Sequence, residues 1–159
     1  MNFQPYLRHW YFVPPSLFSI ISNFKKFDQI NATAIGVTIS DASVFNNQTG
    51  FRRAELLPKS NNGSDSSTVG IKTLHFSLMR DSARQLNFSH EYQLVFVETA
   101  DFSTNQFVVK TGTLLGESLV DGERLVIQSN VNNATTLHDT AFTENVWHNY
   151  ALLLNFDQK

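Results

Sequence analysis

Apolar and polar residues alternate along several short runs of the chain, and this period of two predicts β-strands. In the clearest run, residues 71–79, leucine and phenylalanine occupy one face and polar residues, including His75, the other. The run 146–156 is apolar on both faces, which predicts a central strand covered on both sides. The other runs that we interpret as strands are residues 35–39, the stretch between Gly50 and Pro58, and residues 91–98, 106–111 and 123–128.

Polar turn sequences separate these runs, and the sequence shows no amphipathic helix of normal length. One short helical turn is predicted at Ile20 and Ile21, after Pro14 and Pro15. Several short strands joined by turns predict an all-β fold, either an antiparallel β-sandwich or a β-jelly roll. A length of 159 residues fits a single domain, residues 1–159.

The composition narrows the classes of function. Charged residues make up 16% and the net charge is −2, so the chain has no basic surface of the kind that binds nucleic acid. It has no cysteine, which excludes disulfides and thiolate metal sites. The first apolar run ends at Pro14 and is too short for a signal peptide or a membrane span. The sequence does contain five N-x-S/T sequons, which indicate a secreted protein, at Asn31, Asn47, Asn62, Asn87 and Asn133.

The stretch between Gly50 and Pro58 carries the first candidate site. In a strand, Arg53 and Glu55 point to one face, and a charged pair there is either solvent-exposed or functional. Glu98 ends the run 91–98 on the same face as Phe96, at a position where burial can raise a carboxyl pKa. Glu91 would point to the opposite face of the same strand, so it is a weaker candidate than Glu98 for a functional carboxylate.

The remaining polar residues support fewer kinds of chemistry. The five histidines show no metal-ligand spacing, and no motif for acyl transfer or nucleotide binding occurs. No cofactor or metal is therefore predicted. Two glutamates, an arginine and many aromatic residues on a β-sandwich favour a carbohydrate site, because carboxylate pairs cleave glycosides.

Seven stretches of the chain, in order, resemble the fungal β-glucanases of glycoside hydrolase family 131. The most telling contains Arg53-Ala54-Glu55-Leu56, which also resembles the R-x-E-L motif of jelly-roll polysaccharide lyases. The resemblance runs from about Val13 to about Asp157. The seven stretches are residues 14–18, 37–41, 48–58, 72–78, 90–96, 103–107 and 146–149.

The resemblance implies a secreted β-jelly roll with a substrate groove along its concave sheet, and hydrolysis of β-1,3-, β-1,4- or β-1,6-glucans by a monomer without a membrane or nucleic-acid partner. It implies Glu55 and Glu98 as the catalytic pair. Arg53 would hold Glu55 ionised, and Glu98 would donate the proton. The residues expected to bind substrate are Arg53, His75, Phe96, Gln106 and Lys110.

The chain departs from the family pattern at both ends, since it lacks a signal peptide and stops soon after residue 157. We therefore expect an incomplete member whose missing strands include a groove histidine. Two alternatives stay open: a non-catalytic or vestigial glucan-binding domain, and a lyase-like enzyme acting on uronic-acid polymers. The lyase would need several basic groove residues, and only Arg53 and Lys110 are candidates.

Overall fold

The computed structural model describes residues 18–21 by their backbone, and residues 34–56, 66–99, 101–116, 121–130 and 134–157. The described residues fall into two compact units, one ending at residue 56 and the other beginning at residue 66. Within these ranges the regular structure is antiparallel β-strand with two short 3-10 turns and no α-helix, which confirms the predicted all-β class. None of the described segments forms a helix with the length and apolar character needed to cross a membrane.

The first unit contains one antiparallel hairpin and an ion-paired loop. Strands β1 (Phe18–Ile21) and β2 (Ala34–Val37) pair so that Phe18 lies opposite Val37. The helical turn predicted at Ile20 and Ile21 is therefore wrong, because these residues belong to a β-ladder. A 3-10 turn, Asp41–Ser43, follows, and the Ser40 hydroxyl caps it by accepting a hydrogen bond from the Ala42 amide at 3.2 Å.

The segment 51–56, predicted as a strand, has no regular secondary structure. Its backbone makes local and isolated bonds: the Phe51 amide donates to Gln48 at 3.4 Å and the Arg53 amide donates to Ser43 at 2.9 Å. These bonds belong to a turn and a single cross-link, so the charged side chains lie on a loop and not on a sheet.

The second unit is a sandwich of two antiparallel sheets. A four-stranded sheet has the order β4-β5-β6-β7, so each strand pairs with its neighbour in sequence, and a separate two-stranded sheet pairs β3 with β8. The strands are β3 (Ile71–Leu78), β4 (Glu91–Glu98), β5 (Asn105–Gly112), β6 (Arg124–Ser129), β7 (Thr136–Ala141) and β8 (His148–Asn155).

The core lies between these two sheets. The four-stranded sheet contributes the most deeply buried apolar side chains, which are Phe107, Val109, Leu125 and Ile127, together with Phe142 from the connection after β7. The even positions of β3, such as Leu74 and Phe76, pack against this cluster from the other sheet. The predicted alternation of residues 71–79 is thereby confirmed, and we name the side of the four-stranded sheet that meets this cluster the core face.

The environment predicted for one strand, residues 146–156, needs correction. Strand β8 is not covered on both sides: its side chains alternate, and Leu153 is 71% exposed. The strand covered on both sides is β5, where Val108 and Val109 point to opposite faces and both are 0% exposed. Strand β7 was not predicted, because its residues are mostly polar and exposed and so lack an apolar face.

Two register shifts between β4 and β5 alter which face of the four-stranded sheet a side chain occupies. In β4 the pairing moves by one residue between Gln93 and Val95, so Leu94 is an extra residue. Glu91 therefore changes face relative to a regular strand and lies with Lys110 and Phe96 on the distal face, the side opposite the core face. The prediction that Glu91 points away from the face of Glu98 is wrong for this reason.

Candidate functional site

Arg53 and Glu55 form a close ion pair in the loop of the first unit. Nε and Nη2 of Arg53 lie 2.6 Å and 2.5 Å from the same carboxylate oxygen, Oε1 of Glu55. The side chains of Arg53 and Glu55 are 31% and 22% exposed, so the pair is partly desolvated but accessible to solvent. Both donors converge on Oε1, and Oε2 accepts no hydrogen bond from the part of the chain that the structure describes. Oε1 is thus the anchored oxygen of the Glu55 carboxylate.

The surroundings of Arg53 fix this geometry. Its amide donates to Ser43, whose side chain is locked into the capped 3-10 turn, and its guanidinium lies 6.0 Å from the ring centroids of Phe45 and of Phe51. The neighbouring Arg52 pairs instead with Asp41, whose Oδ1 accepts from Nε at 3.0 Å. Arg52 and Arg53 therefore pair with different carboxylates, Asp41 and Glu55.

Glu98 occupies the last position of β4 in the second unit. It shares parity with Phe96, which lies opposite Val108 on the distal face. The middle of this face is closed, since Val108 is 0% and Val126 5% exposed, whereas Phe96 and Glu98 are half-buried. Exposed side chains of the distal face, such as Gln93 and Asp139, lie around this closed middle, and Glu98 is half-buried at the end of β4.

Gln106 lies across from Glu98 at the second register shift. Phe107 pairs with Val97 but Asn105 pairs with Glu98, so Gln106 is an extra residue in β5 and a bulge faces Glu98. Bulges of this kind redirect side chains and are common beside active sites. Of the residues expected to bind substrate, Phe96 and Gln106 thus lie next to Glu98 in the sheet.

Lys110, also expected to bind substrate, has a carboxylate partner within the sheet. Its ammonium lies 3.3 Å from Oε2 of Glu91, and the two side chains are only 13% and 8% exposed. The same carboxylate accepts from Leu115 and Gln93. Burial alone would raise the pKa of Glu91, but the hydrogen bonds from Gln93, Leu115 and Lys110 outweigh it and the pKa is lowered. The lysine charge is therefore balanced inside the protein.

His75 does not lie with Glu98. It sits on β3, opposite Ala151, at an exposed position that points away from the core, whereas its neighbours Leu74 and Phe76 point into it. The distal face belongs to the other sheet of the sandwich and points in the opposite direction. His75 therefore lies on a different outer surface from Phe96 and Glu98.

An open groove of about 560 Å³ in the second unit was not predicted from the sequence. Tyr150 and His138 line this groove, and their rings meet edge-on with centroids 5.7 Å apart. Tyr150 also stacks on Phe76, with ring centroids 5.3 Å apart. Burial lowers the pKa of the nearby His148 despite a bond with the backbone at Thr143. The lining residues are Ile127, His138, Thr140, Trp147, His148, Asn149, Tyr150 and Leu152.

The turn between β4 and β5 was also overlooked. Phe102, four positions after Glu98 in the chain, has a positive φ of +57° and is 65% exposed. Asp101 accepts hydrogen bonds from Thr99 and Ser103, and these lower its pKa to about 2. An aromatic residue inside the polar sequence Asp101-Phe102-Ser103 was the available signal. Among the described residues, no group of three or more acidic, histidine or cysteine side chains could hold a metal ion.

Comparison with known proteins gives the relationship directly. No curated protein sequence matches the chain. The model of one protein family, described as the glycoside hydrolase 131 catalytic N-terminal domain, matches residues 13–159. The match covers nearly the whole chain and includes both carboxylates considered above. The chain therefore belongs to glycoside hydrolase family 131 and matches its catalytic N-terminal domain.

Proposed function

We propose that this chain hydrolyses the glycosidic bonds of β-glucans, with Glu55 and Glu98 as the catalytic carboxylates. Family membership supports glycoside hydrolysis, and the Arg53–Glu55 pair carries the assignment of residues. A glycosidase needs one carboxyl group to protonate the leaving oxygen and a second to act as base or nucleophile. The proposed fold is the jelly roll that the family resemblance implies.

The anchoring of Glu55 supports its role as base or nucleophile. A hydrogen bond from Nε and an ion-pair contact from Nη2 of Arg53 both hold Oε1, so the carboxylate is oriented through one oxygen. A carboxylate fixed in this way suits attack on a sugar carbon or activation of a water molecule.

Glu98 is proposed as the proton donor. It is half-buried at the end of β4, where the bulge at Gln106 lies opposite it. Gln106 and Phe96 are proposed to bind the substrate there, because an amide can hydrogen-bond sugar hydroxyls and an aromatic ring can pack on an apolar sugar face.

The ion pairs disfavour the lyase alternative. A lyase would use cations to neutralise the uronate groups of its substrate, but Arg53 is paired with Glu55 and Lys110 with Glu91. A neutral β-glucan has no uronate groups, so its binding needs no such cations.

The experiment is an activity screen of the purified chain and two variants. Laminarin, cellohexaose, pustulan and a polyuronate are incubated with the unmutated protein, Glu55→Gln and Glu98→Gln, and reducing ends and unsaturated products are measured. We expect reducing ends from at least one glucan, and a loss of turnover of at least about 10³-fold in each variant with glucan affinity retained. Glu144→Gln is the matched control, since Glu144 makes only a 3.7 Å contact with Arg80.

Other outcomes would refute the proposal. Glucan binding without turnover in the unmutated chain would favour a non-catalytic binding domain. Unsaturated products from the polyuronate would favour the lyase. Activity retained in Glu98→Gln would remove Glu98 from the mechanism, and the anomeric configuration of the first product would show whether the reaction inverts or retains.

Secretion and a monomeric state are also part of the proposal. Asn47 and Asn87 are exposed, as glycan acceptors must be, which supports a secreted protein. The sequons at Asn31, Asn62 and Asn133 lie outside the described residues.

A further inference from the structure

We propose that Phe102 is a stacking platform for a sugar ring of a neutral polysaccharide, placed beside Glu98 by the β4–β5 turn. This inference rests on the proposed function and deepens it by adding a binding residue and a preference for uncharged substrate.

Phe102 combines two properties that do not favour folding. Its ring is on the surface, with 65% exposure, so it contributes little burial to the core. Its φ of +57° lies in the left-handed region, which is strained for a bulky side chain. A residue that is both exposed and strained is typical of sites where a ligand is held.

The turn holds this conformation rigidly. The Phe102 amide donates to the Thr99 carbonyl at 2.9 Å, and the Thr99 amide donates to the Thr104 carbonyl at 2.9 Å. Oδ1 of Asp101 accepts from the hydroxyls of Thr99 and Ser103, each at 2.7 Å, and Thr104 is tied to Asn130 at 2.8 Å. The ring is therefore presented on a fixed support, which limits the entropy lost when a ligand binds.

The turn that carries Phe102 follows directly after Glu98, the proposed proton donor. Phe102 lies four positions after Glu98 in the chain, so their Cα atoms are at most about 14 Å apart, and the turn brings them closer. A short oligosaccharide bound at Glu98 can reach the ring. Val108 and Val126 are buried in the middle of the distal face, whereas Phe102 is exposed on the turn that follows Glu98, where a polymer can contact its ring.

The chemistry of the turn selects the class of sugar. One face of a pyranose ring presents C–H groups, and these pack against an aromatic ring through apolar contact. Asp101 beside Phe102 stays ionised at any ordinary pH, because hydrogen bonds from Thr99 and Ser103 hold its pKa at about 2. A uronate ring would be repelled by that carboxylate, whereas a neutral hexose would not.

The test compares Phe102→Gly, Phe102→Trp and the matched control Leu115→Ala, an apolar residue that is 82% exposed on another turn. Each is made in the full chain carrying Glu55→Gln, so that glucan is bound without turnover. Laminarin and cellohexaose are titrated calorimetrically, and Tm is measured for each protein. We expect Phe102→Gly to weaken Kd about five- to tenfold with Tm unchanged or raised, since glycine relieves the strain. Phe102→Trp should retain affinity, and Leu115→Ala should change nothing.

Each other outcome has a definite meaning. An unchanged Kd in Phe102→Gly overturns this inference and leaves the proposed function standing. A lowered Tm in Phe102→Gly shows that the ring supports the fold and overturns the argument from strain. If the chain binds glucan but does not hydrolyse it before Glu55 is changed, the catalytic proposal fails and this inference stands; if it binds no glucan, both fail.

Discussion

Replacing Lys110 by methionine separates a structural role from a role in substrate binding. Methionine keeps the apolar stem of the side chain and removes the charge. The change leaves Glu91, which is 8% exposed, without its cation but with hydrogen bonds from Gln93 and Leu115. Because Lys110 is balanced by Glu91 inside the protein, we expect Lys110→Met to destabilise the fold and to leave KM for glucan unchanged.

The size of the effect follows from the burial of the pair. Removing one partner of a buried ion pair costs about 3–5 kcal/mol, and the two remaining hydrogen bonds to Glu91 place this case near about 3 kcal/mol. For a domain of this size, that corresponds to a fall in Tm of about 6–12 °C. The double variant Glu91→Gln with Lys110→Met should recover part of the loss, because no unpaired charge remains.

Denaturant unfolding and calorimetry measure the stability, and initial rates over a range of glucan concentrations measure KM. Arg84→Met is the matched control, since its pair with Asp81 is 46% and 29% exposed and should stabilise the fold far less than the buried pair does. A raised KM with an unchanged Tm would refute the reasoning and return Lys110 to the substrate site.

Two further predictions concern the turns at the ends of β5. Gly112→Ala would place a Cβ 1.9 Å from the carbonyl oxygen of His90, at a φ of +86°, and we expect chemical denaturation to show a loss of stability of at least about 3 kcal/mol. The control Gly116→Ala has a similar φ of +81° but open space around it, and should cost only about 1–2 kcal/mol. Equal losses in the two variants would contradict the clash with His90. The pKa of Asp101 is about 2 in the folded protein against an ordinary 3.8, so its stabilising effect is full above about pH 4 and is lost as the pH falls towards 2. Asp101→Asn should lack this contribution when stability is measured against pH. An unchanged dependence of stability on pH between about 4 and 2 in the variant would contradict the prediction.

The strands that alternate or are strongly apolar could be predicted from the sequence, because burial dictates both properties. Strands β3, β4 and β5 lie within a residue or so of their predicted bounds. Strand β7 could not be predicted, since ladder hydrogen bonds to β6 stabilise it without an apolar face of its own.

The site was predicted only in part, for two physical reasons. Side-chain parity assumes an uninterrupted strand, and one extra residue at Leu94 is enough to bring Glu91 to the face of Lys110. The irregular course of residues 51–56 had a different cause, because bonds to Gln48 and Ser43 displace the expected ladder. The Arg53–Glu55 contact survives this error, since residues two apart in an extended loop can meet as they would in a strand.

The pairing of β3 with β8 has a consequence for how the second unit forms. Each strand of the four-stranded sheet finds its partner next to it in the chain, but Ile71 pairs with Asn155, and Ser77 bonds to Asn149 across 72 positions. Closing so long a loop costs more chain entropy than forming a hairpin, so the contact is made late. During synthesis β3 leaves the ribosome long before β8 and must wait with its apolar side uncovered. The four-stranded sheet, complete earlier, provides the surface on which the two-stranded sheet then assembles.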